Sequence, residues 1–178
     1  FAQAARQQVA WAREGLDLKI SVNLSPKQFR DPELLNRLAR IATAQAANPA
    51  RLELELTESM LLGVAPHTHE TLDDLRRMGF SISVDDFGTG YSNLAYLNRF
   101  PIQVLKVDKT FVQDIEANRP VAELIVSMCR LMQLHIVAEG VETPAQLEWV
   151  QTQGIGQYQG YLFAKPLPAT AFVQRVRA

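Results

Sequence analysis

An α/β fold built on a parallel sheet is predicted by two features of this 178-residue chain: short β-rich runs alternate with helical patterns along its length, and short turns join them. A third feature, a polar residue at or just past the end of each β-rich run, decides how the sheet closes. Composition suits one core of ordinary size, with 47% hydrophobic and 21% charged residues and a mean hydropathy of -0.07. Eighteen basic residues against nineteen acidic ones give a formal net charge of -1. That balance excludes the basic stripe of a non-specific binder of nucleic acid polymers. No apolar run reaches membrane-spanning length, and no signal peptide is visible. Cys129, the sole cysteine, excludes an internal disulfide and fits a reducing compartment.

In chain order, the opening helix runs to about Arg13 and stops at Gly15. Its first residues, Phe1-Ala2-Gln3-Ala4-Ala5-Arg6, read as the inside of an amphipathic helix with no initiating Met and no cap, so the expectation is that more chain precedes them. Lys19 to Leu24 is a short strand ending in Asn23-Leu24-Ser25-Pro26. Asp31 is expected to cap a helix with Pro32 in its first turn and with Leu34, Leu35, Leu38 and Ile41 buried. Leu52 to Leu56 is the second strand, closed by Glu55-Leu56-Thr57-Glu58. A helix carrying Leu72, Leu75 and Met78 ends at Gly79, and the third strand, Ser81 to Val84, runs into Asp85-Asp86-Phe87-Gly88. After a helical piece around Leu94 to Leu97, Pro101 resets the chain and Val104 to Val107 forms a fourth strand, containing Lys106 and followed by Asp108. Ala122 to Leu134 is helical, and His135 to Ala138 is a fifth strand ending in Glu139-Gly140-Val141-Glu142. Thr143-Pro144-Ala145-Gln146 has the form of a capping box and starts a helix that ends near Gly154. Gln157 to Phe163 supplies a sixth strand bearing Gln159, and a last helix follows Pro168.

Six β/α units suit either an open doubly wound sheet or most of an eight-unit barrel. Asn23, Glu55, Asp85, Lys106, Glu139 and Gln159 each sit at the end of a different strand. Along an open edge they would be spread out, whereas a closing sheet makes them converge on one bowl, so a TIM-type (β/α)8 barrel with six of its β/α units present is predicted.

The chemistry of that bowl follows from its atoms. Asn23, Glu55, Asp85, Asp86 and Glu139 offer hard oxygen donors with no thiol or imidazole, which suits Mg2+ or Mn2+. Crowded carboxylates need positive charge, supplied by Lys106 and by one or two ions. Two divalent ions roughly 3.5 to 4 Å apart can stabilise the attacking and leaving oxygens of a phosphodiester. Lys106 would then orient water, and Glu139 would hold a metal or take a proton. Each acid alone is as readily a solvated strand end or a helix-entrance charge; the joint pattern carries the reading.

Competing signals are weaker. Gly88-Thr89-Gly90 lacks the third glycine of a dinucleotide fingerprint, Asn93 standing there. His67 and His69 have no Cys or His partners nearby and read as the solvated start of a helix. Cys129 has no neighbouring base and reads as core. Tyr158 and Tyr161 could stack on a base, although wall packing is the commoner use.

Taken together, Asn23-Leu24-Ser25, Glu55-Leu56-Thr57-Glu58, Asp85 to Ser92, Leu105-Lys106-Val107-Asp108, Ala138 to Thr143 and Gln159-Gly160-Tyr161 resemble, in order, the motifs of the EAL domain, the bacterial phosphodiesterase family that linearises cyclic di-GMP. The resemblance covers essentially the whole chain. It implies a modified TIM-type barrel with one antiparallel strand among eight. It also implies that Asn23, Glu55 and Asp85 bind one metal and that Asp85, Asp86 and Glu139 form a second centre. Lys106 would act on the water, with Gln159, Asp108 and Glu142 on the substrate side. Glu58 would pin the turn containing Phe87, Gly88 and Ser92, which in the family lies near a homodimer interface. The Glu-Ala-Leu segment that names the family is absent, so residues 1–178 are expected to be an EAL domain lacking its first two strands and that segment. A sensory or GGDEF domain is expected before it, and the location is expected to be the bacterial cytoplasm, either free or as the cytoplasmic part of a larger membrane protein. Hydrolysis of cyclic di-GMP to pGpG is the expected activity. A non-catalytic cyclic di-GMP receptor is the alternative, which the unbroken Asp85-Asp86-Phe87-Gly88 speaks against. A barrel enzyme using metal-stabilised enolates would use similar acids.

Overall fold

A computed structural model describes residues 1–62, 67–88 and 97–177. Six parallel strands are hydrogen-bonded in sequence order: β1 (Ile20–Asn23), β2 (Leu52–Thr57), β3 (Ser81–Phe87), β4 (Val104–Val107), β5 (His135–Ala138) and β6 (Gln157–Tyr158). Helices α1 (Ala2–Arg13), α2 (Pro26–Phe29), α3 (Leu34–Gln45), α4 (Glu58–Leu62), α5 (Thr68–Arg77), α6 (Lys109–Gln113), α7 (Ile115–Leu131), α8 (Pro144–Thr152) and α9 (Ala169–Arg177) surround the sheet. The six strands form a half-barrel with its helices outside, as the alternating pattern predicts.

Register explains why the polar strand ends meet. Asn23 lies opposite Glu55, and Glu55 opposite Ser83. Alternation puts Glu53 and Glu55 on one face of β2 and Leu52, Leu54 and Leu56 on the other. All five are buried, so β2 is covered on both sides, as parallel strands are. The leucines pack with Leu38 of α3, Leu72 and Leu75 of α5, and Ile82. A second cluster around Val126, Ala138, Val141, Trp149 and Val150 holds α7 and α8 onto β5.

Several boundaries differ from the sequence reading. Asp31 does not cap α3, which starts at Leu34; its carboxylate instead accepts from the Glu33 N–H at 3.0 Å in the turn before the helix. Ser25-Pro26 opens a short helix of its own, with a capping box between Ser25 and Gln28. Helix follows β4 almost at once, because Asp108 caps α6 and Asp114 caps α7. The last strand holds only Gln157 and Tyr158. The helical piece expected at Leu94 to Leu97 lies mostly outside the described residues.

At the far edge α9 crosses back to α1: the Trp11 and Phe172 rings lie 5.5 Å apart, and Arg177 pairs with Glu14 at 3.0 Å. The loop after β5 is clamped beside β6, where Val141 N–H donates to Gln159 O at 3.1 Å and Leu162 N–H donates to Val141 O at 3.0 Å. Gly160 sits so tightly there that a Cβ would lie 2.1 Å from Val141 O. Gly160→Ala is therefore expected to cost about 1–3 kcal/mol through backbone overpacking, read as a lower midpoint in urea unfolding.

Candidate active site

Strand β3 does not stop at Val84 but continues through the two aspartates to Phe87. Val84 pairs with Leu105 and Phe87 with Val107, so Asp85 and Asp86 together oppose the single residue Lys106. This is a β-bulge. Asp86 takes φ 55, a left-handed conformation that aspartate tolerates better than most side chains. In a regular strand, neighbouring side chains point to opposite faces; the bulge lets both carboxylates reach one place. Asp85, Asp86 and Glu139 each bring an oxygen to within 4.8 Å of the others.

Lys106 is buried among acids from three other strand ends: Nζ lies 3.0 Å from Glu55 Oε1, 2.8 Å from Asp85 Oδ1 and 2.7 Å from Glu139 Oε1. Burial opposes its charge, but hydrogen bonds to Asp85 and Glu139 and the charges of Glu139 and Glu55 outweigh it, holding the ammonium above its ordinary value. Burial pushes Glu139 up to about 7, with Lys106 opposing and Asp85 and Glu55 adding to the rise. Asp86 is raised by burial first, then by the charges of Asp85 and Asp108. Gln159 Nε2 donates to Glu139 Oε1 at 2.6 Å, so one oxygen of Glu139 is held from two sides.

Four carboxylates around one ammonium leave an excess of negative charge, and every donor is a hard oxygen. The arrangement fits a divalent cation. Asp85, Asp86 and Glu139 could hold one ion, and Glu55, with Asn23 beside it across the β1–β2 pair, could serve a second.

Known proteins carry the same arrangement of elements. The family model for the EAL domain matches residues 1–166. The chain belongs to the EAL domain family. It is 40% identical over 164 residues, 90% of this chain and 21% of the other, to the cyclic di-GMP phosphodiesterase NbdA of Pseudomonas aeruginosa. Among solved structures it resembles the c-di-GMP complex of the PaMucR phosphodiesterase, with a TM-score of 0.92 and 38% identity over 96% of this chain and 71% of that one. The manganese and cyclic di-GMP complex of Klebsiella pneumoniae BlrP1 matches with a TM-score of 0.83 and 30% identity, covering 93% of this chain and 43% of that one. This EAL domain spans about a fifth to a quarter of the length of the curated relatives it matches.

The sequence-selected residues of this EAL domain fall into three groups. Glu55, Asp85, Asp86, Lys106, Glu139 and Gln159 are gathered into one cluster. Asn23 joins them by register. Glu58 Oε2 accepts from Gly88 N–H at 3.0 Å, pinning the start of the turn, while its buried Oε1 has no hydrogen-bond partner among the described residues. Ser92 lies outside the described residues. Asp108 spends Oδ1 on the Thr110 N–H and hydroxyl at the start of α6, and its charge still reaches Asp86. Glu142 stands apart from the acids, accepting from Gln113 at 3.1 Å beside a cleft of about 470 Å³ that Gln159, Tyr161 and Lys165 also line.

His67 and His69 face Glu70 and Asp73 on their own helix, as solvated residues do. Cys129 is buried and its thiol is pushed up to about 12 by burial, so it is inert. Sequence reasoning passed over Phe111, whose ring packs under Gly88, and Gln113, which reaches Glu142. No motif marks either residue; only a placed α6 brings them to the site.

With metal removed by a chelator, Glu139 is expected to make stability fall as pH rises. Its folded-state value is raised, so its contribution is fully present below its ordinary value of 4.5 and is lost as pH climbs through about 7. Thermal melts in EDTA between about pH 5 and pH 8 check this. The parent should lose more stability over that range than Glu139→Gln, and equal slopes would refute the assignment.

Proposed function

We propose that this EAL domain hydrolyses cyclic di-GMP to linear pGpG with Mg2+ or Mn2+. The observation that carries the reading is the Lys106 cluster: one ammonium touches Glu55, Asp85 and Glu139 from three different strands, with Asp86 turned into the same group. Support also comes from relatives whose names state cyclic di-GMP hydrolysis. Residues 1–178 are proposed as the greater part of the catalytic domain, with its Glu-Ala-Leu segment supplied from outside the present sequence.

Asn23, Glu55 and Asp85 would hold one ion, and Asp85, Asp86 and Glu139 the other. When bound, such ions polarise the phosphoryl oxygens and make water a better nucleophile. The chain's own residues do the rest. Lys106, held charged by its three acids, would orient the water or balance the negative charge that builds on the phosphoryl oxygens. Glu139 would hold the ion, with Gln159 and Lys106 fixing one of its oxygens. Gln159, Asp108 and Glu142 would face the substrate from the side of the cleft.

A homodimer through the turn after Asp86 belongs to the same proposal. The exposed Val121 and Leu124 of α7 support it, since with Phe87, Gly88 and Phe111 they line an apolar cavity beside that turn. The length of the curated relatives supports a further domain in the same polypeptide, which we propose is sensory or GGDEF, and the location proposed is the bacterial cytoplasm, either free or on a membrane protein's cytoplasmic side. Among the described residues, no helix is long and apolar enough to cross a membrane.

Incubation of the protein carrying its Glu-Ala-Leu segment with cyclic di-GMP and Mn2+ or Mg2+, followed by chromatography, tests the reading. Linear pGpG is the expected product, and Glu55→Gln or Asp85→Asn should lower kcat by about 100-fold or more. Tight binding without turnover would select a receptor, and neither binding nor turnover would overturn the proposal.

A further inference from the structure

Gln146 is buried in the first turn of α8, beyond the acid cluster, yet its side chain joins three segments. Oε1 accepts from Glu142 N–H at 2.7 Å and from Thr143 N–H at 2.9 Å, while Nε2 donates to Gln113 O at 3.4 Å. The Thr143 hydroxyl accepts from Gln146 N–H at 3.3 Å, which completes a capping box. A capping box alone needs only the Thr143 N–H as the side chain's donor. Here the same oxygen also fixes Glu142, and the other end of the amide reaches α6, whose Gln113 side chain returns to the Glu142 carboxylate at 3.1 Å.

The ring Gln146–Glu142–Gln113–Gln146 therefore sets where Glu142 stands at the mouth of the cleft shared with Gln159 and Tyr161. We infer that Gln146 is a positioning residue for the substrate side of the site, acting through the Glu142 backbone and α6 rather than by touching substrate. The inference rests on the cyclic di-GMP reading given above. The Gln146 side chain bonds to Glu142, Thr143 and Gln113, whereas Glu139 is held separately by Lys106 and Gln159 and by its own N–H to Val107 O at 3.1 Å. Loss of Gln146 thus acts on substrate affinity more than on the acid cluster.

Two variants separate this role from simple helix capping. Gln146→Ala removes every bond of the side chain; Gln146→Glu keeps an oxygen for both N–H groups, as a capping box requires, but has no donor for Gln113 O. Gln146→Ala should raise KM for cyclic di-GMP about tenfold with kcat and Mn2+ affinity within about threefold of the parent. Gln146→Glu, which keeps the cap but loses the link to α6, should still raise KM by about threefold or more with kcat within about threefold of the parent. Thermal melts check folding: Gln146→Ala should lose roughly 2–4 °C, the cost of one cap in a chain of this size. Unchanged KM in folded Gln146→Ala, a fall in kcat at constant KM, or a Gln146→Glu variant with the parent's KM would each overturn the inference. If the parent binds without turnover, the Kd for cyclic di-GMP replaces KM in the same comparison, and a parent that does not bind at all defeats the underlying reading instead.

Discussion

Everything at this site depends on a mismatch of one residue between two strands. Asp85 and Asp86 of β3 face the single Lys106 of β4, and that count turns neighbouring carboxylates toward the same group. A regular ladder would have sent one of them to the outer, helix-covered face, where a charge has no partner. The bulge solves a geometric problem and creates an electrostatic one, which Lys106 answers in part. Its ammonium is the nearest compensation for acids arriving from β2, β3 and the end of β5. Burial first, and then the neighbouring charges of Asp85 and Glu55, lead Glu139 in the metal-free cluster to hold a proton at pH values where a free carboxyl would be ionised, even with Lys106 opposing.

Such a cluster needs a rigid surround, and the backbone supplies it by close approach. A Cβ on Gly140 would lie 2.4 Å from Lys109 Cβ, and one on Gly88 would lie 2.6 Å from the Phe111 ring. The five residues of α6 thus touch the loop after β3 through Phe111 and the loop after β5 through Lys109. Asp108 caps that helix directly after β4, so three consecutive strand ends are spaced by one short helix. The same compactness explains why α6 begins without a connecting loop, which no sequence periodicity over five residues could reveal.

The alternation of strands and helices was legible from period and punctuation: Gly15, Gly79 and the Thr143-Pro144 start all fall where the elements change. The convergence of Glu55, Lys106, Glu139 and Gln159 was legible too, because parallel strands must place their ends on one face. The local pattern ends the third strand at Val84 and leaves Asp85-Asp86 just past it. The pair is the bulged end of the strand itself, and the distinction lies in pairing with β4, a non-local property that a local pattern cannot encode. Asp31 misled for a similar reason: an Asp-Pro pair signals a helix start, but the Asp31 carboxylate accepts from Glu33 N–H in its own turn and pairs with Arg37 at 2.9 Å, and α3 begins three residues later.

Gln146 marks the boundary between these two kinds of information. The spacing from Thr143 to Gln146 announces a capping box, and the box is there. Nothing in that spacing says that the glutamine oxygen will also hold Glu142, or that its nitrogen will meet a carbonyl 33 positions earlier in the chain. A glutamate in its place would satisfy the helix equally well. Only the amide, with one acceptor and one donor end, can join the cap to α6 while holding the backbone of Glu142. The choice of amide over carboxylate at this buried point is thus decided by the neighbour across the site and not by the helix it begins.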